Sequence, residues 1–320
     1  MRDHVVGWLS DSDPALRWQV ERDLAGESEE VWAATRASVA TTGFGARLLG
    51  LQEADGQWAG GAYFPAPDRR GTGGPSDGQP WTATTWSLNA LREWGVDAAV
   101  LQGTAEKLAT NSRWEYDGAP YWSGEVDCCI NAFALSNGLW LGADVDGLVD
   151  WFLQHRMADG GWNCAWVDGS TRSSFHSTLN ALWALLDQQR ATGQAARVAD
   201  ARRSGEEYLL VRGLHRRRST GETVAPWAVH FGYPFRWAYS VLRALDYFRA
   251  ASLLDGTPPD RRLEDAVGIV RAARRDDGTW LQGGTLPGAV WFPVDAPKGE
   301  PSRWLTFVAT RVLDWWDASA

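Results

Sequence analysis

Apolar and polar positions along the chain fall into two alternating kinds of segment. Five segments are apolar nearly all round and end alike: Trp81 to Leu91, Glu125 to Leu135, Phe175 to Leu185, Phe235 to Leu245 and Arg303 to Leu313. The first four close on Ala-Leu and the last on Val312-Leu313, and the final leucines are 44, 50, 60 and 68 residues apart. Between them lie more polar segments near Ala98 to Thr110, Val145 to Gln154, Ala195 to Val211 and Arg261 to Arg274. The first kind predicts buried inner helices and the second predicts amphipathic outer ones.

The N-terminal part follows the same grammar. Asp13-Pro14 opens a helix, Asp as N-cap and Pro at the first helical position, and Leu16, Val20 and Leu24 recur at helical spacing until Gly26. A second helix is predicted from Glu29 to Leu51. A Gly- and Pro-rich loop then runs from Gly60 to Pro80, long enough to read as a lid or an excursion.

A second recurrence is locked to the first. Asp55-Gly56-Gln57-Trp58, Asp159-Gly160-Gly161-Trp162 and Asp277-Gly278-Thr279-Trp280 each follow an outer-type segment and precede an inner-type one. In such a turn Gly supplies the positive φ and the indole fills the space beside the helix ends. Paired helices stack in this way when no single pair can bury its own face. With the Asp13 helix as a further inner member the pairs number about six, enough to close a ring. The chain therefore reads as one all-α domain over residues 1–320, with residues 1–26 as an N-terminal helix packed onto the ring.

Composition narrows the class. The chain carries 21 Trp among 320 residues, which calls for a recurring wedge or an aromatic-lined chamber. No apolar run approaches the roughly 20 residues of a membrane span, and no secretory leader opens the chain, so a cytoplasmic protein is expected. A net charge of −9 speaks against a nucleic-acid partner, and Arg216-Arg217-Arg218 reads as a solvated loop. His155 and His215 are expected on the outer layer, facing solvent. Asp144-Val145-Asp146 reads as a pair of helix caps. The three cysteines, two of them adjacent, make a poor disulfide framework.

All three cysteines fall between Gly124 and Leu185, together with a carboxylate and a histidine at helix heads. Asp127 and Cys129 are two apart where one inner helix begins, and His176 begins the next; Cys164 lies in the turn leading to it. Carboxylate, thiolate and imidazole are the ligands zinc prefers, so Asp127, Cys129, His176 and Cys164 are the candidate metal set. Cys128 is expected in the core. Trp81, Trp122, Arg236, Trp237, Arg303 and Trp304 gather at the remaining heads as candidate substrate contacts, the arginines for an anion or for neighbouring acids. Glu125 and Tyr239 are candidate proton shuttles.

The Asp-Gly-x-Trp turns, the helix pairing and the length resemble the (α/α)6 toroids of the terpenoid cyclases and of the protein prenyltransferase β subunits, over roughly Gly43 to Trp316. Val126-Asp127-Cys128-Cys129 and Phe175-His176-Ser177-Thr178 look like the prenyltransferase zinc motif, which implies Asp127, Cys129 and His176 as ligands with a substrate thiolate or water at the open position. The chain departs from that family before Asp127, where Tyr121-Trp122-Ser123-Gly124-Glu125 lacks the basic residues that hold a prenyl diphosphate. Glu125-Val126-Asp127-Cys128 also resembles the Asp-x-Asp-Asp motif of class II cyclases, which implies Asp127 as proton donor without a metal. The expected function is a zinc-dependent enzyme acting on a hydrophobic isoprenoid or polycyclic small molecule, with no obligate partner subunit. The alternatives are a metal-free cyclase and a non-catalytic zinc-containing binding protein.

Overall fold

The repeated apolar segments fold as helices. The computed structural model describes residues 2–69, 78–193 and 196–319, and these are all-α apart from one two-residue antiparallel ribbon that pairs Trp280 with Ser302. The helices are α1 (Arg2–Ser10), α2 (Pro14–Val20), α3 (Glu29–Ser38), α4 (Gly43–Leu49), α5 (Thr84–Glu93), α6 (Thr104–Asn111) and α7 (Cys128–Leu141). They continue as α8 (Asp146–Gln154), α9 (Phe175–Thr192), α10 (Ala196–Leu210), α11 (Val241–Asp255), α12 (Glu264–Ala272) and α13 (Arg303–Asp317). Among the described residues no helix is long and apolar enough to cross a membrane. Part of the predicted lid, residues 70–77, lies outside the described residues.

The chain divides into two compact units. One comprises Val6–Asp150 with Leu286–Val294, the other Met1–Val5, Trp151–Thr285 and Asp295–Ala320.

In the unit built on Val6–Asp150, Asp13 caps two helices at once. One carboxylate oxygen accepts the Ala15 N–H of α2 at 2.9 Å and the other accepts the Phe44 N–H of α4 at 2.9 Å. Burial raises the Asp13 pKa above the usual carboxylate value, against these hydrogen bonds and Arg47. The single helix expected from Glu29 to Leu51 is thereby split. Gly43 has φ +64° and sits so close to Asp13 that any side chain would strike its carboxylate, so α4 begins afresh there. The segment from Ala98 to Thr110 is likewise a short 3-10 turn and then α6, separated at Gly103 (φ +82°). Between α5 and α7, Arg92 donates to Asn137 at 3.1 Å and Asn137 to Asn89 at 2.9 Å, which satisfies polar groups inside the pair.

In the unit built on Trp151–Thr285, α9, α11 and α13 begin at serine caps. Ser174, Ser240 and Ser302 each accept an N–H three residues on. The inner segment expected from Phe235 is helical only from Val241, because Arg236 adopts φ +53° and interrupts it. Asp295 accepts from the Ser302 hydroxyl, from Gln282 Nε2 at 3.0 Å and from the Arg303 N–H at 3.2 Å, and so ties the approach loop to the head of α13.

The three Asp-Gly-x-Trp turns are built alike. Trp58, Trp162 and Trp280 each donate their indole N–H to a carbonyl ten residues earlier, of Leu48, Phe152 and Val270, at 2.8, 2.9 and 2.8 Å. Each of those carbonyls belongs to the last turn of the preceding helix, where intrahelical partners run out. The backbone N–H of each Trp donates to a threonine hydroxyl of the helix that follows, Thr84, Thr178 and Thr306, at 3.1, 3.0 and 3.0 Å. One side chain thus joins the end of one helix to the start of another.

Candidate functional site

Two groups of candidate residues occupy the heads of α7 and α9. At the head of α7, Glu125, Asp127 and Cys129 form a chain of local hydrogen bonds. The Glu125 carboxylate accepts the Asp127 N–H at 2.8 Å, and Asp127 Oδ1 accepts the Cys129 N–H at 2.9 Å as N-cap. Asn131 locks the segment from behind, accepting the Glu125 N–H at 2.7 Å and donating to the Glu125 carbonyl at 2.6 Å. Gly124 is required there, since φ is +75° and an added Cβ would fall on Asn131 and Leu148. The spacing works because the cap residue and the second residue of the first turn leave the backbone on one side. Ligand atoms of Asp127 and Cys129 lie within 4.8 Å of each other. Cys128 points into the core and is fully buried, as expected. Asp127 meets the Cys129 N–H as an acceptor, which suits a carboxylate ligand better than an acid that must give up a proton.

At the head of α9, Cys164 sits on the short 3-10 turn Cys164–Trp166. Its sulfur accepts the Ser177 hydroxyl at 3.2 Å and its N–H donates to Ser177 Oγ at 3.1 Å. Ser174 supports Ser177 in turn, at 3.0 Å between hydroxyls. Ser177 was not singled out from the sequence; the Ser-x-x-Ser spacing of Ser174 and Ser177 was the available signal.

His176, expected as a ligand, is the second residue of α9. Its Nδ1 accepts the backbone N–H of Tyr239 at 2.9 Å. Trp227 and Trp237 flank the ring at centroid distances of 4.5 and 5.3 Å. Burial, and then the charge of Arg243, lower the His176 pKa to about 4, against Cys164 and the Trp237 carbonyl, which raise it. With a folded value below the ordinary 6.5, the folded protein binds fewer protons than the unfolded chain. The stability from a neutral His176 is therefore full above pH 6.5 and lost as pH falls through about 4. At full effect the window is worth up to about 3 kcal/mol. Denaturation in chelator from pH 7.5 to 4 is expected to show this slope, and His176→Gln is expected to flatten it.

Tyr239 is expected as a proton shuttle. Its hydroxyl donates to the Leu214 carbonyl at 2.6 Å, and burial raises its pKa well above that of a free phenol. Among the proposed substrate contacts, Trp81, Trp122 and Trp304 are 4%, 9% and 3% exposed and serve packing. Trp81 and Trp122 spend their N–H groups on the Pro287 and Ala105 carbonyls at 3.0 and 2.9 Å, while Trp304 stacks on Tyr233. Arg236 occupies the turn before α11, and Arg303 opens α13 with its N–H on Asp295. His215, expected at the surface, is buried with Nδ1 on the Gly213 carbonyl, and His155 stacks against Trp151. Arg216-Arg217-Arg218 is exposed as expected, and the Asp146 N–H donates to Asp144 at the head of α8. No protein-family model matches the chain, and no curated protein matches it either.

Proposed function

We propose that the chain is a zinc-dependent enzyme whose helices form an (α/α)6 toroid of the terpenoid cyclase and prenyltransferase kind, acting on a hydrophobic isoprenoid or polycyclic small molecule. Asp127 and Cys129 are among its metal ligands. The observation that carries the reading is the head of α7, where a capping carboxylate and a thiol are held side by side by a locked backbone. Carboxylate and thiolate donors suit zinc, whose tetrahedral shell then has room for water or substrate. Zinc there supplies Lewis acidity. Glu125 fixes Asp127 through the Asp127 N–H and is the residue assigned to proton transfer. The thrice-repeated tryptophan tie supports the toroid, since it links successive outer and inner helices in one sense.

Elemental analysis of the purified protein is expected to find about one zinc per chain, as for a mononuclear site. Cys129→Ser is expected to lose it while keeping the far-UV circular dichroism of the parent. Activity that survives complete chelation, or a serine variant that keeps its zinc, would remove the proposal.

A further inference from the structure

We propose that Leu286–Val294 is a strap that lifts from the head of α5 and opens an apolar path along Trp81, Trp86 and Phe133 to Cys129. The proposal takes from the zinc reading that a substrate is held beside Cys129; the movement of the strap rests on its own contacts.

The strap belongs to the unit built on Val6–Asp150, although the chain on either side of it belongs to the other. Its Pro287 and Ala289 carbonyls both accept from one residue, the first from the Trp81 indole N–H at 3.0 Å and the second from the Trp81 backbone N–H at 2.8 Å. One side chain anchors it. Phe292 stacks on Phe44 at 5.9 Å between ring centroids, and the Arg47 guanidinium lies over it at 3.8 Å. Glycine on both sides lets the two backbones touch: a Cβ on Gly288 would fall 1.6 Å from the Gln79 carbonyl oxygen, and one on Gly78 would fall 2.3 Å from that of Pro287.

The rest of the strap is loosely held. Val290 and Trp291 are 47% and 36% exposed, and Trp291 reaches the Ser87 hydroxyl at 3.3 Å. On the chain that the strap presses on, Gln79 Nε2 is buried with no hydrogen-bond partner among the described residues, so the closed position carries an unsatisfied donor that opening would hydrate. A segment with one apolar anchor opens locally far more often than the helices beneath it.

What lifting uncovers is continuous. Trp81 serves packing while the strap is down, and it meets Trp86 edge-on at 4.7 Å. Trp86 in turn meets Phe133 of α7 at 5.3 Å, and Phe133 follows Cys129 by one helical turn on the same face. Cys129 is only 8% exposed, so a substrate reaches its sulfur only when a cover moves. Three apolar rings in a row suit a hydrophobic molecule.

Residue-resolved hydrogen exchange reads the strap directly, because the Trp81 amide is bonded to its Ala289 carbonyl. In the parent this amide is expected to exchange at least about tenfold faster than those of Leu88 and Leu91 in α5, after correction for intrinsic rates. Alkylation by N-phenylmaleimide in chelator, located by mass spectrometry, reads the path. Phe292→Ala, which removes the anchor, and Gly288→Ala, which holds the strap off Gln79 without removing any packing, are each expected to speed labelling of Cys129 about tenfold and to leave the fully buried Cys128 unlabelled. A Trp81 amide that exchanges no faster than Leu88 and Leu91 would overturn the proposal. So would unchanged labelling of Cys129 in both variants, or labelling of Cys128 that rises as much. Zinc content tests the metal reading separately: a parent free of zinc removes that reading, while the strap still stands or falls on the Trp81 amide and the labelling.

Discussion

Trp162→Ala is expected to cost about 3–5 kcal/mol of stability, the range for deleting a fully buried tryptophan. The side chain is 0% exposed, and its ring lies so close to Gly205 of α10 and Leu182 of α9 that a Cβ on Gly205 would meet it at 2.7 Å. Removing it opens a cavity between those helices and strips the Phe152 carbonyl of its donor. Trp162→Phe separates the two effects. Much of the apolar volume remains, and the loss is expected to fall to about 1–3 kcal/mol, the cost of a buried acceptor left unsatisfied. Urea denaturation followed by far-UV circular dichroism checks both. A loss below about 1 kcal/mol for Trp162→Ala would mean that the turn is not a tie between helices. Trp58→Ala and Trp280→Ala are expected to behave alike, since the same carbonyl and hydroxyl partners recur at both.

These turns were legible in the sequence because every determinant is local. Asp-Gly sets the turn, and the indole reaches a carbonyl only ten residues back. The head of α7 was legible for the same reason, as a cap and a cysteine two residues apart are placed by the first helical turn alone. Elsewhere the deciding contact comes from afar. The break at Gly43 depends on Asp13, 31 residues from the Phe44 N–H that it caps, while the apolar spacing through Val39 and Leu48 looks unbroken. His176 accepts a backbone N–H 63 residues away, a contact that its position at a helix head gave no sign of. The segment from Phe235 was misread as helix for a further reason. Its apolar residues pack as side chains, but its backbone turns at Arg236 before α11 begins.

Asp246→Ala is expected to destabilise the protein by roughly 3–5 kcal/mol, the cost of leaving one member of a buried ion pair without the other. Asp246 on α11 and Arg311 on α13 meet through two parallel contacts, Nε to Oδ1 at 2.8 Å and Nη2 to Oδ2 at 2.6 Å, with side chains only 8% and 15% exposed. Arg311 also lies over the Phe307 ring at 4.5 Å, so the guanidinium is held in place when its partner is removed and cannot swing out to water without losing that packing. The pair itself need not add net stability, because taking two charges out of water offsets much of their attraction. Replacing both, as in Asp246→Leu with Arg311→Leu, is therefore expected to recover most of the loss. Equilibrium denaturation of the two single variants and the double variant gives the coupling directly. Equal losses in all three would place the effect on packing alone. A loss for Asp246→Ala that vanishes in high salt would contradict the burial on which the argument depends, because a screened charge belongs to the surface.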